Sequence, residues 1–180
     1  MNWKLLTVFA IAAGSIFFMP TAAPAKSEVK FICGQSFDQA SGQRYPTTYA
    51  WNHRGKMAII RWKKQWGSTN YRPQQRCEEV SSRFQQAYNK GTLNFITNGV
   101  MNGQPVICTT SGYGRACESL LVTLQQGENS LAILDELKGV LFGQITEPLL
   151  RSPRNSQRYY QINIDRFLET ATVEEESSSN

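Results

Sequence analysis

The feature that most restricts how this chain can fold is its cysteine framework. Cys33, Cys77, Cys108 and Cys117 are the only cysteines, an even number behind what reads as an export signal, and they point to two disulfides formed in an oxidising compartment. Four cysteines allow three pairings. Joining Cys108 to Cys117 closes the glycine-containing stretch 109–116 locally and leaves Cys33 for Cys77, the favoured arrangement. In a chain-entropy picture the long loop is worth about 4 kcal/mol and the short one about 3, a large share of the roughly 5–15 kcal/mol that holds a domain together. Zinc is a poor rival, because no two cysteines have knuckle spacing and the single histidine, His53, lies far from all four. No metal ligands and no cofactor site are expected.

The export signal is read from the first 25 residues. Lys4 supplies the positive start, Leu5 to Met19 the apolar run, and Ala23-Pro24-Ala25 a small-residue cleavage motif. At about 15 residues the run is shorter than the ~20 a membrane helix needs, so cleavage before Lys26 is expected. No arginine pair precedes it and no small-residue lipidation site surrounds Cys33, which favours plain Sec-type export to a periplasm or thylakoid lumen. The chain therefore divides into a signal peptide (1–25), one globular domain (26–168) and an acidic Ser-rich tail (169–180) expected to be disordered. The chain carries 19 Lys and Arg against 14 Asp and Glu. Lys4 leaves with the signal and Glu174, Glu175 and Glu176 sit in the tail, so residues 26–173 hold 18 bases against 11 acids.

Within the domain, Val29 to Gln35 reads as a strand. Tyr45, Thr47, Tyr49 and Trp51 then alternate with smaller residues to give one aromatic face, and Lys56 to Lys64 returns after the turn 52–55 as the second arm of a hairpin. From Pro73 the residues Cys77, Val80, Phe84, Ala87 and Tyr88 recur at helical spacing until Gly91. A second hairpin turns at Asn102-Gly103, a strand runs through Leu120, Val122 and Leu124, and a second helix starts at Asn129 or Ser130 and ends at Gly143. A linker (147–157), a short strand through Tyr160, Ile162 and Ile164, and a helical turn at Phe167-Leu168 complete the pattern. The expected fold is α+β: an antiparallel sheet of about six strands with two main helices packed on one face.

The search for chemistry returns a binding surface rather than a catalytic set. His53 sits at a hairpin turn, no serine lies in a nucleophile elbow, and Glu78-Glu79 and Asp135-Glu136 are adjacent acids that diverge on helices. Between Gln39 and Cys77 there is no acid, while bases and aromatics interleave. The candidate anion-binding residues are Arg54, Lys56, Arg61, Lys63, Lys64, Trp66 and Arg72. They suit a membrane headgroup layer or an acidic partner; export argues against nucleic acid as a natural ligand.

Several short stretches carry a resemblance: Phe31-Ile32-Cys33, Pro46-Thr47-Thr48, Ile60-Arg61-Trp62, Arg76-Cys77 with 80–85, Gln104 to Cys108, Cys117 with 120–124, and Ile164 to Leu168. In these the chain resembles the circadian oscillating protein family of cyanobacteria. The resemblance implies a small exported protein associated peripherally with membranes, and brings no catalytic residues with it. The expected function is thus a non-enzymatic, membrane-associated or anionic-surface-binding protein. The alternatives are a protein-binding or inhibitor-like module presenting the loop between Cys108 and Cys117, and a hydrolase with a site near His53 or the loop 111–115.

Overall fold

A computed structural model describes residues 28–63, 71–142 and 157–174; the expected signal peptide, Lys64, Trp66 and most of the expected linker lie outside them. The α+β reading holds, with seven strands arranged as two antiparallel sheets. Sheet A contains β1 (Lys30–Asp38), β2 (Gln43–Asn52) and β3 (Gly55–Arg61) in that order. Sheet B contains β4 (Phe95–Met101), β5 (Gln104–Thr109), β6 (Ser119–Thr123) and β7 (Tyr159–Gln161), ordered β6-β5-β4-β7. The strands expected in one sheet are divided because the edges of β3 and β6 do not pair: residues 59–63 on one side and Val122, Leu124 and Gln125 on the other line a cleft between them.

Helix α1 (Pro73–Asn89) covers one face of sheet A, called the front. Pro73 occupies the first turn, where its missing N–H costs nothing, and Gly91, at φ 68°, supplies the left-handed residue that ends the helix. Its stripe of Cys77, Val80, Phe84 and Ala87 is buried. The Cys33–Cys77 disulfide fastens α1 to β1, and Phe84 stacks on Phe31 with centroids 5.8 Å apart. Thr48 Oγ1 lies 3.0 Å from Trp62 Nε1, whose bond it accepts, and 3.2 Å from Ser81 Oγ, joining β2, the end of β3 and α1 at one buried point.

Helix α2 (Ser130–Phe142) packs on β4 and β5 and reaches β3. The Asn129 side chain accepts from the backbone N–H groups of Leu131 and Ala132, so Asn129 is the capping residue. Asp135 accepts from Tyr160 and Arg158 and ties α2 to β7. The second disulfide, Cys108–Cys117, closes the loop after β5. Gly99 makes room for it: a Cβ there would stand 2.6 Å from Cys117 Sγ. The Asn102-Gly103 turn has both residues at positive φ, 51° and 75°, as a two-residue hairpin loop requires.

Two sequence boundaries move. Ile164 belongs to α3 (Ile164–Thr170) rather than to a strand, because Asn163 accepts from Arg166 N–H and starts the helix there. The segment expected to be tail from residue 169 begins inside α3 and then returns to sheet A. Glu174 N–H donates to Lys56 O at 2.8 Å, and Val173 fills the space beside Gly55. The acid that made this segment read as tail has a partner on β3.

Candidate anion-binding face

The side of sheet A turned away from α1, its back, is organised by strand register. Residues directly opposite one another across neighbouring strands share a face. One row is Lys30, Trp51 and Lys56; the next is Ile32, Tyr49 and Ala58; the third is Gly34, Thr47 and Arg61. Ser36 and Tyr45 begin a fourth, which Lys63 joins: its Nζ lies 2.7 Å from Asp38 Oδ2 and 5.2 Å from the Tyr45 ring centre. Strict alternation would place Lys56 and Arg61 on opposite sides. The register shift that leaves Ile59 without a partner between Ala58 and Ile60 reverses the phase. Beyond that bulge Arg61 and Lys63 point to the back, while Ile60 and Trp62 point to the front.

The centre of the back face is a hydrogen-bonded network. Ser36 Oγ and Thr47 Oγ1 are 2.7 Å apart, and Arg61 Nε donates to Ser36 Oγ at 2.8 Å. The Arg61 guanidinium pairs with the Glu174 carboxylate, whose other oxygen accepts from Tyr49 O–H at 2.5 Å. Tyr49 is buried and lies over Gly34, where a Cβ would stand 3.1 Å from its ring. Burial, with the Glu174 carboxylate second, holds its phenol protonated well above the usual tyrosine range. The Lys63 ammonium, and after it Ser41, hold the Asp38 carboxyl below its ordinary value near 3.8. At one end of the face Trp51 is 42 % exposed, with Lys30 Nζ 6.0 Å from its ring centre. Four cations, Lys30, Lys56, Arg61 and Lys63, thus stand against three carboxylates: Glu28, 3.2 Å from Lys30 Nζ, Asp38 and Glu174.

Of the residues expected to bind anions, the structure brings Lys56, Arg61 and Lys63 together. Arg54 serves elsewhere, its guanidinium donating to Leu168 O and Ala171 O and closing the C-terminal end of α3, where a cation complements the exposed carbonyls. Arg72 precedes α1 in extended conformation and is not in the register rows of the back face. Lys30, Ser36 and Tyr49 were missed. The alternation of Tyr45, Thr47, Tyr49 and Trp51 was the signal that could have led to them through their cross-strand neighbours.

On the front, the cleft between β3, β6, α1 and α2 has a volume of about 650 Å³ and a mixed lining, in which apolar side chains stand beside Arg76, Glu128 and Glu136. Trp62 and Arg76 form its wall, the guanidinium 4.4 Å from the ring centre. Arg76 is buried, and desolvation lowers its pKa. The lining contains no histidine, serine, threonine or cysteine, and His53 is exposed at the β2–β3 turn. No catalytic site is evident among the described residues, and none of their His, Cys, Asp and Glu side chains group as metal ligands.

A scan against family models matches residues 30–169 to the model described as circadian oscillating protein COP23. The chain belongs to the COP23 family. The matched span takes in both sheets, both disulfides and nearly all of α3, and ends before Glu174. No curated protein and no solved structure matches the chain.

Proposed function

We propose that this COP23-family chain is an exported, non-catalytic protein of the extracytoplasmic space that attaches reversibly to an anionic membrane surface through the back of sheet A. The observation that carries the reading is the convergence of Lys30, Lys56, Arg61 and Lys63 around Trp51 and Tyr45 on one side of one sheet. Each base held near an anionic bilayer contributes about 1 kcal/mol, enough in sum for peripheral attachment. An amphipathic indole such as Trp51 suits the headgroup level. No helix among the described residues is long and apolar enough to cross a membrane, so this mode of attachment relies on the surface.

Sedimentation of residues 26–180 with phosphatidylglycerol or phosphatidylcholine vesicles over a salt series tests this. Binding is expected to phosphatidylglycerol alone and to fade with salt. Lys30→Gln and Lys63→Gln should each weaken it about five-fold, the factor equivalent to ~1 kcal/mol per base. Binding indifferent to both lipid charge and salt would contradict the reading.

A second reading, a protein-binding module, draws on Tyr113. It stands 69 % exposed on the loop closed by Cys108–Cys117, its ring 5.6 Å from Phe95 and 6.2 Å from Tyr159. A partner captured from the native fraction by the wild type and lost with Tyr113→Ala would favour it.

A further inference from the structure

We propose that the back of sheet A contains a built phosphate-binding site, and that the Glu174 carboxylate occupies it as an internal stand-in for the external anion. The inference rests on the reading of this face as the working surface, and adds where the anion sits and what competes with it.

A lone surface arginine would be weak ground. Here Arg61 is positioned by hydroxyls that are themselves buried: Ser36 is 3 % exposed, Thr47 is fully buried, and the two are bonded to each other. Tyr49, 2 % exposed, aims its O–H at the same carboxylate that Arg61 holds. A guanidinium and a phenol fixed on neighbouring strands, converging on two oxygens of one anionic group, form a pre-organised oxyanion receptor. A phosphate presents a matching pair of oxygens, with the single charge of a carboxylate in a phosphodiester headgroup and a larger charge in free phosphate.

The occupant comes from outside the family-matched part. Arg61, Tyr49, Ser36 and Thr47 lie within residues 30–169, and Glu174 beyond them. Besides the carboxylate, residues 173–174 are held by an antiparallel bridge between Glu174 and Lys56, with Glu174 N–H donating to Lys56 O, and by Val173, which packs at Gly55 and against the hydrophobic core. For an external anion to enter, this segment must lift off β3, whose pairing with β2 does not involve it. Its departure turns four cations against three carboxylates into four against two, Glu28 and Asp38.

The test compares the chain 26–180 with Glu174→Gln, with Glu174→Gln/Arg61→Gln, and with Glu169→Gln as a control that removes an exposed acid from α3. Two readouts are used: sedimentation with phosphatidylglycerol vesicles at fixed salt, and the thermal midpoint with and without inorganic phosphate, which also reports folding. Glu174→Gln should bind the vesicles about five-fold tighter, as one further effective charge at the surface dictates, and should gain a phosphate-dependent rise in midpoint. The double variant should lose both gains, and Glu169→Gln should show neither. If the wild type binds in a charge-dependent way and Glu174→Gln matches it in both readouts, the internal competitor is refuted while the attachment reading stands. If nothing binds vesicles but Glu174→Gln is stabilised by phosphate through Arg61, the site stands for free phosphate and the membrane reading falls. If neither response occurs, both fall. Should the double variant fail to melt cooperatively, Glu174→Gln/Tyr49→Phe replaces it, with the same expected loss.

Discussion

The two faces of sheet A are built from the same three strands and have opposite chemistry. The front carries Phe31, Cys33, Ala50, Met57 and Trp62 and is closed by α1 and a disulfide. The back carries Lys30, Lys56, Arg61, Lys63 and Trp51 around a core of hydroxyls. In Ile60-Arg61-Trp62-Lys63 consecutive residues serve opposite sides. Charge on a strand thus says little until its phase is known: the same four residues supply a cleft wall and an anion-binding surface. One unpaired residue, Ile59, decides which is which.

Removing the same residue type from each side should separate the faces most strongly. Trp62 is 4 % exposed and hydrogen-bonded to Thr48. Trp62→Ala should cost about 3–5 kcal/mol in urea unfolding, as expected for emptying a buried aromatic site. Trp51→Ala on the back should cost less than about 1 kcal/mol, in line with substitutions at the surface. Equal losses would mean that the two faces are not divided as described.

A smaller effect concerns acid. Because the folded state holds the Asp38 carboxyl below its ordinary value, this group favours folding above that value and loses its contribution as pH falls through the depressed one. Stability measured from pH 5 to pH 2 should therefore fall less steeply in Asp38→Asn than in the wild type. An unchanged acid limb would show that the Lys63–Asp38 pair does not order the back face.

Much of this was legible in the sequence, and the parts that were not share a cause. The alternation of Tyr45 to Trp51, the stripe of α1, the Asn102-Gly103 turn and the Cys108–Cys117 pairing follow from local spacing, and the Cys33–Cys77 pairing follows by elimination. The bulge does not: Ile59 is an unremarkable strand residue, and only pairing with β2 shows it to be one too many. Arg54 read as a surface base because its acceptors lie on α3 and just beyond it, more than a hundred positions away. Glu174 read as tail for the same reason, since Arg61 and Tyr49 are as distant in the chain. Composition describes a segment's own tendencies; it carries no information about a partner brought up by the fold.

The central claim, that the back of sheet A is the face that meets an anionic surface, is tested most directly by tryptophan fluorescence. In the chain 26–180, which leaves out Trp3, and with Trp66 replaced by Phe, one variant keeps Trp51 alone through Trp62→Phe and another keeps Trp62 alone through Trp51→Phe. On titration with phosphatidylglycerol vesicles at low salt, Trp51 emission should shift to the blue and become quenched by lipid-borne quenchers, while Trp62 emission stays as it is without lipid. A response from Trp62 with none from Trp51 would put the membrane at the cleft and contradict the account.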